Sequence, residues 1–201
     1  MRYLVSLTCL FLLLFSLQIK AQQKDNVPDS KKLEKALDYF SGEKYHEALM
    51  LFIDLDKRYK LNPRFKAYIG ICYYYEWEYK EACKYIDGVI ENLDIYSPQE
   101  RNIYYKTSAE SHFILEEYEQ AIPLYEQQLL VCQPNEKGDA YYRLGFCYMF
   151  KDNKEQALEY FTSALEYYRK YSSEESKTRI VQLEKMIKGL EYEAGYVTTS
   201  P

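Results

Sequence analysis

Residues 140–161 read AYYRLGFCYMFKDNKEQALEYF. A small residue, Gly145, is followed three positions on by the ring of Tyr148. Twelve positions after Gly145 comes a second small residue, Ala157, and four after that a second ring, Phe161. Apolar positions three and four apart share one face of a helix, so this stretch reads as two helices with the polar Lys151-Asp152-Asn153 between them. Two antiparallel helices approach closely only where their side chains are small, and large residues then fill the space above and below.

Working outward, the same phase recurs three more times. The small residue of the first helix is Ala36, Gly70, Ala109 and Gly145, and its ring is Tyr39, Tyr73, His112 and Tyr148. The second helix supplies Ala48, Ala82, Ala121 and Ala157, each followed four residues later by Phe52, Ile86, Tyr125 or Phe161. These alanines are 34, 39 and 36 residues apart. A lone hairpin of this kind cannot bury its apolar faces, so the units must stack.

The recurring positions resemble the tetratricopeptide repeat family, whose unit of about 34 residues is a helix-turn-helix carrying W-x2-L-G-x2-Y, then A-x3-F. Tyr141, Leu144, Gly145, Tyr148, Ala157 and Phe161 match it best, with Tyr141 at the usual Trp position. The first unit departs most, placing Lys32 and Lys35 where apolar residues are expected. The resemblance spans roughly residues 29–171 and implies an all-α superhelical solenoid. Its units are expected at about 31–62, 63–96, 98–134 and 138–171.

Helix signals agree with that division. Asn62-Pro63 and Ser97-Pro98-Gln99-Glu100 each place a capping side chain before a proline at the first helical position, and the second also reads as a capping box. The interval of 39 is expected to lengthen the front of the third unit's first helix. Beyond the repeats, Ser172-Ser173-Glu174-Glu175 reads as another box opening a helix over 173–194. Its Ile180, Leu183, Ile187 and Leu190 share one face, the pattern of a helix that closes a stack. Residues 195–201 are expected to form a tail.

At the other end, Arg2, an uncharged run from Tyr3 to Ile19 and the small Ala21 have the three-part plan of a secretory signal peptide over residues 1–21. The apolar run is shorter than the roughly 20 residues of a membrane span, so no integral span is expected after cleavage. An exported, periplasmic or otherwise extracytoplasmic location is the expectation. Residues 22–30 read as a linker. Removing Arg2 and Lys20 takes the formal charge from −5 to −7, which leaves nucleic-acid phosphates little to bind.

No nucleotide loop, H-E-x-x-H or G-x-S-x-G occurs, so neither a catalytic set nor a cofactor is expected. Cys72, Cys83, Cys132 and Cys147 lack zinc-type spacing, and His46 and His112 are not expected to join them as metal ligands. The cysteines are expected to be free thiols, with Cys72 and Cys147 as small buried residues.

What remains is recognition without catalysis. The resemblance implies that the first helices line a concave groove, here Leu37, Phe40, Arg64, Ile71, Tyr74, Tyr75, Lys106, Phe113, Tyr142, Arg143, Phe146, Met149 and Phe150. Leu33, Ala67, Glu110 and Ile114 stand beside them. Tyr, Phe and Arg are rich sources of binding energy, so an apolar peptide or protein segment is the expected partner. Family members that clamp a carboxylate use Lys, Asn and Arg; only Lys106 and Arg143 suggest such a clamp. One alternative is a self-associating structural component of the cell envelope, through the groove or through the stripe Tyr160, Tyr167, Tyr168 and Tyr171, which the C-terminal helix is expected to cover; the last is an uncharacterised enzyme.

Overall fold

A computed structural model describes residues 28–171 and 174–195. Nine α-helices follow one another among these residues, with no strand between them. They are α1 (Asp29–Ser41), α2 (Tyr45–Tyr59), α3 (Pro63–Tyr75), α4 (Tyr79–Asp87), α5 (Pro98–Ile114), α6 (Tyr118–Val131), α7 (Lys137–Phe150), α8 (Lys154–Lys170) and α9 (Glu174–Glu193). Consecutive pairs form four hairpins. Each packs on the next through its second helix, and α9 lies against α8. The signal peptide, residues 22–27 of the expected linker, Ser172-Ser173 and residues 196–201 lie outside the described residues. α1 begins at Asp29, so the last two residues of the expected linker are helical.

The four hairpins turn in the same way. Glu43, Trp77, Glu116 and Asp152, each five residues before the recurring alanine, adopt left-handed backbone with φ of 58°, 66°, 63° and 58°. Around each, three backbone N–H groups fold back on the last carbonyls of the preceding helix. In the third hairpin these are Leu115 N to Ser111 O, Glu116 N to Phe113 O and Glu117 N to His112 O. Such bonds satisfy carbonyls that a helix end would otherwise leave unpaired. None of the four residues is glycine, which is why the turn left no obvious mark in the sequence.

The small positions work as close-contact sites against the large residue of the facing helix and, at Gly70, also against the carbonyl of Ala82. A Cβ built on Gly145 would stand 2.4 Å from Cδ1 of Phe161, and one on Gly70 would stand 2.5 Å from Cγ1 of Ile86. Each glycine therefore receives the large residue of the facing helix, one turn beyond the alanine. Phe52, Ile86, Tyr125 and Phe161 are all essentially buried. So is Tyr104, which occupies no recurring position.

Helix starts follow their side chains. Asn62 Oδ1 accepts from Phe65 N at 3.2 Å, Ser97 Oγ from Glu100 N at 3.3 Å, and Asn153 Oδ1 from Gln156 N at 3.1 Å. The box at Ser97 is only half made, because Glu100 turns away to meet Arg64 and Tyr104. α5 has 17 residues against 13 in α3, and the extra turn lies at its front. α4 is short, ending at Asp87, and a 3-10 turn over Ile90–Asn92 carries the chain on to α5.

Leu183 and Leu190 of α9 are buried against Ala164, Leu165 and Phe161 of α8, with Ile180 and Ile187 beside them. The tyrosine stripe of α8 divides. Tyr168 is buried beside Arg179 of α9, but Tyr160 and Tyr167 pack on Tyr141 of α7, and Tyr171 stays partly exposed. The expectation that α9 covers the whole stripe thus holds only for Tyr168: Tyr160 and Tyr167 lie on the flank of α8 that meets α7 of the same hairpin, and Tyr171 stacks on Tyr167.

Candidate functional site

The first helices of successive hairpins border two adjoining cavities. One, of about 400 Å³, is lined by Phe40, Tyr45, Ile71, Tyr74, Tyr75, Asn102, Ile103, Lys106, Thr107, Glu110 and Glu136. The other, of about 260 Å³, is lined by Tyr74, Lys106, Glu110, Asp139, Tyr142, Arg143 and Arg179. Tyr74, Lys106 and Glu110 belong to both. Of the residues expected in the groove, Phe40, Ile71, Tyr74, Tyr75, Lys106, Tyr142 and Arg143 are brought together here.

The others have different roles. Leu37 packs in the core of the first hairpin beside Ala36 and Phe52. Phe146 and Met149 pack toward Phe161 and the α8–α9 core. Phe113 and Phe150 form a separate aromatic group with Tyr118, with centroids 5.1–6.2 Å apart. None of these five lines either cavity. Leu37, Phe113 and Phe146 stand three residues from the lining residues Phe40, Glu110 and Arg143, whereas Met149 and Phe150 lie nearly two turns beyond Arg143 on α7. Ile71 lines the first cavity but is itself 3% exposed, so it serves as a floor.

The two arginines expected in the groove are already paired. Arg64 of α3 makes two bonds to Glu100 of α5, at 2.6 and 3.0 Å, and its guanidinium lies over Tyr68 and Tyr96. It lines neither cavity. Arg143 of α7 makes two bonds to Glu110 of α5, at 2.8 and 2.7 Å, and lies 4.6 Å from the Phe113 ring centroid. Tyr125 donates to the same Glu110 at 2.8 Å. Burial opposes the charge on Arg143, but Glu110 outweighs it and raises the pKa. α5 is therefore tied through bidentate pairs to the first helices on both sides. These arginines hold the array in register and are not free for a carboxylate ligand.

Two polar groups in the first cavity are free. Lys106 is exposed and makes no ion pair among the described residues. Asn102 is 7% exposed; its amide nitrogen donates to both oxygens of Glu136 at 3.1 Å, while its Oδ1 is buried without a hydrogen-bond partner. Asn102 escaped notice in the sequence because it falls on the added front turn of α5, outside the recurring phase. The larger cavity thus has apolar and aromatic walls, with Lys106 and Glu110 at the centre that both cavities share.

A second cluster lies between α4 and α5. His112 is 7% exposed, with Nε2 bonded to Asp87 at 2.9 Å and Nδ1 to Glu117 at 2.7 Å. Burial opposes protonation of the ring, but hydrogen bonds to Asp87, Cys83 and Glu117 overcome it and raise the pKa to about 10. The ligand atoms of Cys83, Asp87 and His112 all lie within 4.8 Å of one another. This corrects the expectation that neither histidine groups with a cysteine; the helix packing brings together residues 29 positions apart in the chain. His46 is exposed and bonds Glu76 at 2.8 Å. The four cysteines among the described residues are buried free thiols, and burial pushes Cys72 and Cys147 up to about 12.

Stacked helical hairpins closed by a terminal helix define an α-solenoid. Residues 99–170 match the tetratricopeptide repeat family model, and the four hairpins share the helix-turn-helix architecture of that repeat. Similar folds include a mutant of MamA (TM-score 0.65, 13% identity, covering 86% of this chain and 91% of that one). The apo form of RapI (0.62, 13%, 85% and 65%) and MamA 41-end from Desulfovibrio magneticus RS-1 (0.57, 16%, 82% and 96%) are also similar. No curated protein matches the chain. Among the described residues, no helix is long and apolar enough to cross a membrane.

Proposed function

We propose that the protein is an exported, non-enzymatic interaction scaffold that holds a segment of a partner protein along the first helices of its hairpins. The observation that carries this reading is the larger cavity. It combines exposed aromatic surface, with Tyr75 half exposed and stacked on Tyr45 at 4.0 Å, with the exposed ammonium of Lys106, unpaired among the described residues. A bound segment would cover this surface and exclude water from it. An acidic side chain or carbonyl of the same segment would meet Lys106, while its apolar side chains would rest on Tyr74 and Tyr75.

The test compares two versions of the mature protein as bait in extracts of the native cell envelope. One is the natural chain and the other carries Tyr75→Ala and Lys106→Glu. Proteins captured by the first and lost by the second, with far-UV helicity equal in both, support the groove. A capture profile that both share would show that partners do not use this surface.

A further inference from the structure

We propose that Cys83, Asp87 and His112 form a binding site for a divalent transition-metal ion, zinc above all, that fastens the second hairpin to the third. Zinc is bound by thiolate at about 2.3 Å, imidazole at about 2.0–2.1 Å and carboxylate at about 2.0–2.2 Å. A tetrahedron with such bonds has edges of roughly 3.3–3.7 Å. The three ligand atoms lie within 4.8 Å of one another, so no separation need close by more than about 1.5 Å to reach that arrangement. The 2.9 Å contact between Nε2 of His112 and Asp87 must open by a few tenths of an ångström.

Comparison of the repeats with one another strengthens the assignment. The residue after the recurring alanine is Leu49, Cys83 and Ile122 in the first three hairpins. The residue five after it is Ile53, Asp87 and Glu126, and the ring of the following hairpin is Tyr73, His112 and Tyr148. At the first junction, Leu49, Ile53 and Tyr73 pack in one apolar cluster. Ile122 and Tyr148 pack together at the third. Only at the junction between the second and third hairpins do all three positions carry metal-ligating side chains, and there they converge.

The surroundings suit a metal. Glu117 accepts from Nδ1 of His112 at 2.7 Å, the outer carboxylate contact that orients a histidine with its Nε2 toward an ion. The hydroxyl of Ser108 donates to Oδ1 of Asp87, leaving Oδ2 as the ligand. Cys83 and His112 are buried, whereas the Asp87 side chain is 39% exposed. That exposure provides an entry path and room for water as a fourth ligand.

The test uses the mature chain, cleared of metal with a chelator and kept reduced. Cobalt(II) titration should produce near-ultraviolet thiolate-to-cobalt absorption that saturates at about one equivalent. Zinc should displace it and raise the melting temperature. Cys83→Ser should abolish the absorption, whereas Cys132→Ser should leave it. Glu117→Gln, through its outer contact alone, should weaken zinc affinity by about 10–100-fold, with circular dichroism confirming that each variant is folded. Absence of the absorption in the natural chain at stoichiometric cobalt, or its survival in Cys83→Ser, would overturn the assignment.

Discussion

Gly145 and Gly189 are both helical, yet the space around them is opposite. The ring of Phe161 occupies the place of a Gly145 Cβ, while nothing lies within 4 Å of one on Gly189. Gly145→Ala should therefore lower the melting temperature, at a cost of about 1–3 kcal/mol from forced displacement of a buried ring. Gly189→Ala should raise it, since alanine is favoured over glycine in an open helix position by about 1 kcal/mol. Thermal unfolding of the two variants beside the natural chain checks both signs. Cys72 and Cys147 lend themselves to a chemical measurement. Burial excludes reagents and disfavours the thiolate, so in the metal-free native protein these two should react with a maleimide far more slowly than after denaturation, when four thiols are expected to react. A fast native reaction at either position would contradict the packing. At this scale the sequence was informative about size but not about partner. The repeat showed that position 145 must be small, and it could not show that Phe161, and not Ala157, demands it.

The hairpin is the natural element of this molecule, and its turn is the part least visible in the sequence. Four turns share one backbone conformation, with Glu43, Trp77, Glu116 and Asp152 all left-handed. For an L-residue that conformation costs about 1–2 kcal/mol, whereas glycine adopts it freely but loses more entropy on folding. Glu116 is exposed, so Glu116→Gly should leave packing intact and raise stability by up to about 1 kcal/mol, seen as a higher denaturant midpoint with unchanged slope. A lowered midpoint would mean that the Glu116 side chain contributes contacts the turn depends on. Helix starts were easier to read, because Asn62 and Ser97 act locally and their proline neighbours mark them. The reciprocal half of the Ser97 box was not legible: Glu100 is drawn off by Arg64, 36 residues away. Local propensity gave way there to a charged partner delivered by the stacking of hairpins.

In the whole molecule, each hairpin buries its faces against the next, and α9 closes the last one. Leu183 and Leu190 are buried there, and burying a leucine side chain contributes about 1.5–3 kcal/mol. A chain ending at residue 171 should thus lose several kcal/mol and expose Leu165 and Tyr168, and sizing chromatography with thermal unfolding should reveal self-association and a lower melting temperature. A truncated chain as stable and monomeric as the full one would show that α9 is dispensable. Periodicity carried the architecture, because a 34-to-39-residue recurrence of small and large positions directs helical hairpins to stack in one repeating way. Capping side chains marked which helices begin at a cap, and apolar spacing marked which face of α9 is apolar. What occupies the space between hairpins was settled by their packing. It paired Arg64 and Arg143 with carboxylates of α5, left Asn102 and Lys106 facing a cavity, and drew Cys83, Asp87 and His112 together. Those outcomes depend on the rotation and translation of one hairpin against the next. Periodicity specifies the face each residue takes within its own helix, but it does not specify which residue of the neighbouring hairpin stands opposite.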